Sequence, residues 1–144
     1  MLSRLRSERG SALMLMPAAV LIMFVLGAIA VDLTALRVGQ RDLQAALTDA
    51  ANDAVAGALD ESLLRAGGGY HLDRSAAWVI AMGVLETRGA LRDVVDGPHL
   101  TVEDDGSVTI TAARRVPHIF GRALPGIPHH EVVRATATAR LERR

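Results

Sequence analysis

Between Ser11 and Val31 the chain carries no charged side chain. A helix of that length, at 1.5 Å rise per residue, spans roughly 30 Å, the thickness of the hydrocarbon core of a bilayer. In a chain of 144 residues such a run leaves material for one small domain and little else. The run therefore reads as a transmembrane helix over residues 11–31, and Pro17, in its first two turns, is tolerated there. Two other readings stand beside it. One is a buried helix of a soluble core. The other is a secretory signal peptide cut after Ala28-Ile29-Ala30, a small-x-small sequence. The apolar stretch is longer than a usual signal h-region, and the helical pattern continues through Asp32 and Leu36 without a breaker.

Charge sets the expected direction. Arg4, Arg6 and Arg9 against the lone Glu8 hold a short leader, residues 1–10, in the cytoplasm, opposed by Arg37 and Arg41 beyond the far end. The expected localisation is a single-pass cell-membrane protein with its C-terminal domain outside the cytoplasm. The formal net charge is +0, from 16 basic and 16 acidic residues, which argues against a nucleic-acid partner. Cysteine is absent, so disulfides and Cys-ligated metals are excluded. Aromatic residues make up 3 %, too few for stacking platforms.

Beyond the apolar run, Leu36, Gln40, Leu43, Leu47, Ala50, Ala54 and Ala58 recur at three- and four-residue steps and predict a helix continuing to about Leu64. The stripe is rich in Ala, so either this protein's own domain or another subunit can approach it closely. Gly67-Gly68-Gly69 predicts a reversal, and it matches no phosphate-binding loop. Asp73 is placed to cap a second helix, with Ala76, Ala77, Ile80, Val84 and Leu85 on one face and Gly89 ending it. The period then changes to two. Leu100, Val102, Val108 and Ile110 alternate with polar residues around Asp104-Asp105-Gly106, which predicts a hairpin, and Val133, Ala135, Ala137, Ala139 and Leu141 predict a third strand. A short helix is expected from Pro117 to about Leu124. The fold class is thus α+β: a long N-terminal helix, a second helix and an antiparallel sheet of about three strands. The expected divisions are a membrane span at 11–31, a helical extension at 32–66 and a head at 67–144.

Catalytic and metal motifs do not emerge. His71, His99, His118, His129 and His130 include no i,i+4 pair on a helix and read as solvated loop residues. Asp104 and Asp105 read as turn residues, and Ser62, Ser75 and Ser107 lie in no nucleophile elbow. The expectation is a non-enzymatic chain with no cofactor.

Glu8-Arg9-Gly10-Ser11-Ala12-Leu13-Met14, then Gly27-Ala28-Ile29-Ala30-Val31-Asp32 and the Gln/Ala-rich stretch through Ala58, resemble the TadE/TadG-like proteins. These are pseudopilins and minor-pilin-like components of the tight-adherence, Flp-type pilus. Arg115-Val116-Pro117-His118-Ile119-Phe120-Gly121 leading into the last strand is similar to the end of that group's chains. The resemblance implies cleavage by a prepilin-type peptidase between Gly10 and Ser11. A helix-start glycine at the membrane edge is the plain alternative for Gly10. Leu15 stands where a mature pilin usually has glutamate, which favours a TadG-like or accessory member that keeps its N-terminus. The implied partners are other pilus or pseudopilin subunits, an inner-membrane assembly platform, membrane lipid and the peptidase. Ala18, Ala19, Gly27, Ala28 and Ala30 are the small residues that permit close helix packing in lipid. Two other functions share this architecture: a membrane-tethered extracytoplasmic binding or sensing domain, and a small domain secreted after signal-peptide removal.

Overall fold

The computed structural model describes residues 4–59, 71–123 and 125–141, with backbone alone for 4–14. Helix α1 spans Arg4–Gly57 and α2 spans Arg74–Thr87; strands β1, β2 and β3 cover Val94–Val102, Ser107–Pro117 and His130–Arg140. The strands form one antiparallel sheet in the order β1-β2-β3. This is the α+β arrangement that the change of hydrophobic period predicts.

Helix α1 has 54 residues and is therefore ~80 Å long. It runs unbroken through Pro17. Its two halves have different surroundings because their sequences differ. From Leu15 to Gly27 every residue is exposed. Farther along, Leu43, Ala46, Leu47, Ala50, Ala51, Ala54, Val55 and Ala58 are buried and form one wall of the core. This is the apolar stripe of the sequence, and the structure assigns it to the protein's own head. Gln40 and Ala45 fall outside it and are exposed.

The opposite wall is the inner face of the sheet, where Val108, Ile110, Ala112, Ala135, Ala137 and Ala139 are buried. Alanine on both walls lets helix and sheet approach closely, and the side-chain amide of Gln44 reaches the Thr136 carbonyl at 2.9 Å. The outer face is polar: Thr109 pairs with Thr138 at 2.9 Å and Thr111 with Thr136 at 3.0 Å across β2 and β3. Helix α2 packs along α1 through Ala77, Ala81 and Leu85, and an ion pair joins Arg88 to Asp49.

At the end of the head nearer the apolar run, Gly39 is a point of close approach. A Cβ there would stand 2.7 Å from a γ-methyl of Val116, a buried and β-branched neighbour that cannot swing away. The Gly39 carbonyl accepts from Arg114 at 2.7 Å, and Arg114 also binds Asp42 at 2.8 Å. Gly39→Val is expected to destabilise the head by about 1–3 kcal/mol through overpacking. Denaturant unfolding of the detergent-solubilised chain measures this, and a variant as stable as the parent contradicts the contact.

The capping and turn residues act as their spacing predicts. The Asp73 carboxylate accepts from the Ser75 backbone at 2.8 Å, the Ser75 hydroxyl at 2.6 Å and the Ala76 backbone at 3.3 Å, which starts α2. At the β1–β2 turn Gly106 adopts φ of +79°, which a side chain would strain, and the Asp105 carboxylate accepts from the Ser107 hydroxyl and backbone. Arg140 braces Asp105 at 2.9 Å. The Ser75 hydroxyl foremost holds the Asp73 carboxyl below the ordinary carboxylate range, and the Ser107 hydroxyl does the same for Asp105. Folded values below the unfolded ones mean that this stabilisation is complete above the unfolded pKa and fades as pH falls through the folded values. The melting temperature is expected to drop between about pH 5 and about pH 3, and to drop less in the Asp73→Asn, Asp105→Asn double variant. An identical pH profile for both proteins contradicts this assignment.

Two expectations need correction. Helix α1 ends at Gly57, short of Leu64, because Ala58 gives its carbonyl to the Asp73 N–H at 2.9 Å and Leu59 bridges to Leu72. That pairing takes the chain out of the helix in spite of its favourable composition. The Gly67-Gly68-Gly69 reversal lies outside the described residues. Pro117 starts no helix: it is the last residue of β2, opposite His130, and among the described residues a 3₁₀ turn at Gly121–Ala123 is the one helical piece before β3.

Candidate functional site

Two features of the molecule await a partner or a purpose beyond folding: the bare upper part of α1, and the clasp that ties the head to the end of it.

The bare segment is apolar around its whole circumference. Leu15, Met16, Leu21, Met23, Phe24 and Leu26 are each at least 60 % exposed, with Phe24 at 74 %. Monomeric soluble proteins rarely leave a contiguous apolar surface of this extent uncovered. This is one helix long and apolar enough to cross a membrane. Near its end the Thr34 hydroxyl donates to the Ala30 carbonyl at 2.8 Å and so satisfies itself within the helix.

The clasp is built on Asp32, the first charged residue after the apolar run. One carboxylate oxygen accepts from the Ile119 and Phe120 backbone N–H groups at 2.7 and 2.9 Å; the other accepts from Gly121 at 2.7 Å. His118 Nδ1 lies 3.8 Å from the carboxylate, and both side chains are largely covered, at 13 % exposure for Asp32 and 15 % for His118. The Phe120 N–H is the largest influence holding the Asp32 carboxyl below its ordinary range. Partial desolvation opposes it, and the Gly121 and Ile119 N–H groups and the His118 charge assist. Three consecutive amides converging on one carboxylate form an anion-binding nest whose anion is supplied by the chain's own helix. Close packing at Gly121 belongs to the same design, since a Cβ there would meet the Asp32 carboxylate at 3.1 Å.

Ala18, Ala19, Gly27 and Ala30 lie on the exposed part of α1, and Ala28 is partly covered. A Cβ on Gly27 would meet nothing within 4 Å. Gly10 and Ser11 lie within α1. The histidines differ from the expectation of solvated loop residues at three positions: His118 is largely covered and faces Asp32, His130 opens β3, and His99 lies in β1 with Nε2 2.9 Å from Asp96, which also pairs with Arg134. Among the described residues no three His, Asp or Glu side chains gather as a metal-binding group. Sequence reasoning missed the Asp32 clasp altogether. Its one visible signal was an acidic residue at the end of an apolar run, with a Gly-containing loop far downstream.

No family model matches the chain, and neither a curated protein nor a solved structure gives a significant match.

Proposed function

We propose that this chain is a non-enzymatic, membrane-anchored component of a bacterial Flp/Tad-type pilus assembly or secretion system, minor-pilin-like or pseudopilin-like, that works through protein contacts. The observation that carries the reading is an apolar helical segment exposed on all sides, continuous with a helix whose other half is built into a folded head. Lipid is the medium that covers such a surface without a dedicated partner. The basic leader favours a cytoplasmic N-terminus and a head on the far side. The resemblance of residues 8–58 and 115–141 to TadE/TadG-like proteins supplies the pilus context.

Within the membrane, lipid tails remove the hydrophobic drive for association, so assembly rests on close packing, for which Ala18, Ala19, Gly27, Ala28 and Ala30 provide room. Gly27→Val is expected to reduce lateral cross-linking to neighbouring subunits while leaving the stability of the head unchanged. That combination separates a packing role from a folding role, because Gly27 touches nothing in the head. Undiminished cross-linking excludes this face as the contact.

Mass spectrometry of the N-terminus in native membranes tests the assignment, together with co-purification. A start at Ser11 fits pilin-type processing, and an intact Met1 fits a permanent accessory anchor. Either is expected to come with a pilus ATPase or inner-membrane platform protein in the pull-down. A start at Val31, or a head that binds a small ligand tightly while no pilus component co-purifies, overturns the proposal.

A further inference from the structure

We infer that the loop after β2 forms an interfacial foot, in which Ile119 and Phe120 sit in the headgroup layer of the same bilayer that the chain's own helix crosses. This inference rests on the membrane-anchor reading above.

The geometry fixes the height of the loop. Asp32 directly follows the uncharged run, whose length matches the hydrocarbon core, so its carboxylate stands at the edge of the lipid tails. The amides of residues 119–121 are hydrogen-bonded to that carboxylate and cannot lie farther out than one side chain's reach. Ile119 also lines a shallow concavity with Ala30 and Val31, the last two residues of the run, and with Thr34, Ala35 and Val38. The loop thus bends back toward the lipid and follows the helix down to the hydrocarbon boundary.

The exposed side chains suit that level. Ile119 and Phe120 are each 49 % exposed, as Trp78 and Val79 on α2 also are, at 42 % and 69 %; what sets the loop pair apart is its hydrogen-bonded tie to Asp32 at the end of the apolar run. Arg122 beside them and Arg37 on the helix are exposed as well. They can bind lipid phosphates while the apolar pair enters the acyl boundary, the division of labour seen in interfacial segments. The Asp32 clasp then sets how the head stands on the membrane, because helix and foot enter the lipid together.

Depth-dependent quenching tests this on the full chain in vesicles of phosphatidylcholine and phosphatidylglycerol that carry brominated acyl chains. The chain has one tryptophan, so single probes are placed in a Trp78→Phe background at three sites: Phe24→Trp in the span, Phe120→Trp in the foot and Val79→Trp on α2. Position 79 neighbours Ile80, which packs against Gly57, about 37 Å beyond Asp32 along the helix. The expected result is strong quenching of position 24 by deep bromines, loss of intensity with a blue shift at position 120 by shallow bromines only, and no quenching at 79. Quenching at 24 with none at 120 overturns the foot alone. No quenching at 24 overturns the anchor and the foot with it.

Discussion

Replacing Leu21 and Val25 together by arginine is expected to abolish membrane retention of the full chain. The two positions lie one turn apart on α1 and are 64 % and 50 % exposed. Arginine at the centre of a membrane helix costs about 2.5–3.5 kcal/mol, so the pair costs on the order of 5–7 kcal/mol, more than snorkelling near a helix end can relieve. The head is expected to keep its fold, because the core begins at Leu43, more than four turns away. Alkaline carbonate extraction reads the first effect, and the circular dichroism of the extracted protein reads the second. Retention of the double variant in the carbonate-resistant pellet contradicts the lipid-facing assignment. Loss of the head's signal contradicts the independence of the two halves of α1.

The second large effect is expected at Asp32. Asp32→Ala removes the acceptor of three backbone N–H groups at once and leaves His118 without its carboxylate. Hydrogen exchange of the amides at 119–121 should accelerate by roughly ten- to a hundred-fold, while the amides of the β2–β3 ladder at Val108 and Ile110 stay protected. Asp32→Asn keeps one carbonyl oxygen and should fall between the two. The pH dependence carries the same signature. With its folded pKa depressed, Asp32 binds the loop fully above the ordinary carboxylate range and releases it as pH falls through the lowered value, so acid should mimic Asp32→Ala at 119–121. Uniform acceleration across the whole sheet would make Asp32 a determinant of global stability and contradict a local clasp.

How far the sequence disclosed this molecule depends on how local each signal is. Asp73 announced α2 because a cap and the amides it binds are two and three residues apart. Asp104-Asp105-Gly106 announced the hairpin because turn chemistry is contained within the turn. Alternation through Val133–Leu141 announced β3, with Ala135, Ala137 and Ala139 buried on its inner face, Val133 half-buried and Leu141 half-buried just past the strand's end. What escaped was set over long sequence distances. Pro117 suits a helix start by itself, yet its pairing with His130 keeps it in the sheet and the clasp from Asp32, 87 residues from Ile119, folds the following residues into a loop. Ala58 continues the helical stripe locally, and its carbonyl bond to Asp73 together with the bridge between Leu59 and Leu72 ends the helix at Gly57. Composition left it open whether the stripe from Leu43 to Ala58 faces the chain's own sheet or a neighbour, and only the folded arrangement decides that.

The absence of native cysteine makes labelling of single introduced cysteines the most direct test of the membrane-anchor account. Ser3→Cys and Thr138→Cys are placed on opposite sides of the apolar run and treated in intact spheroplasts with a maleimide that cannot cross the membrane. Labelling at position 138, with labelling at position 3 only after the cells are broken, is the predicted result. Labelling at both positions in intact spheroplasts, or at position 3 alone, would contradict a helix that crosses the bilayer with its head outside.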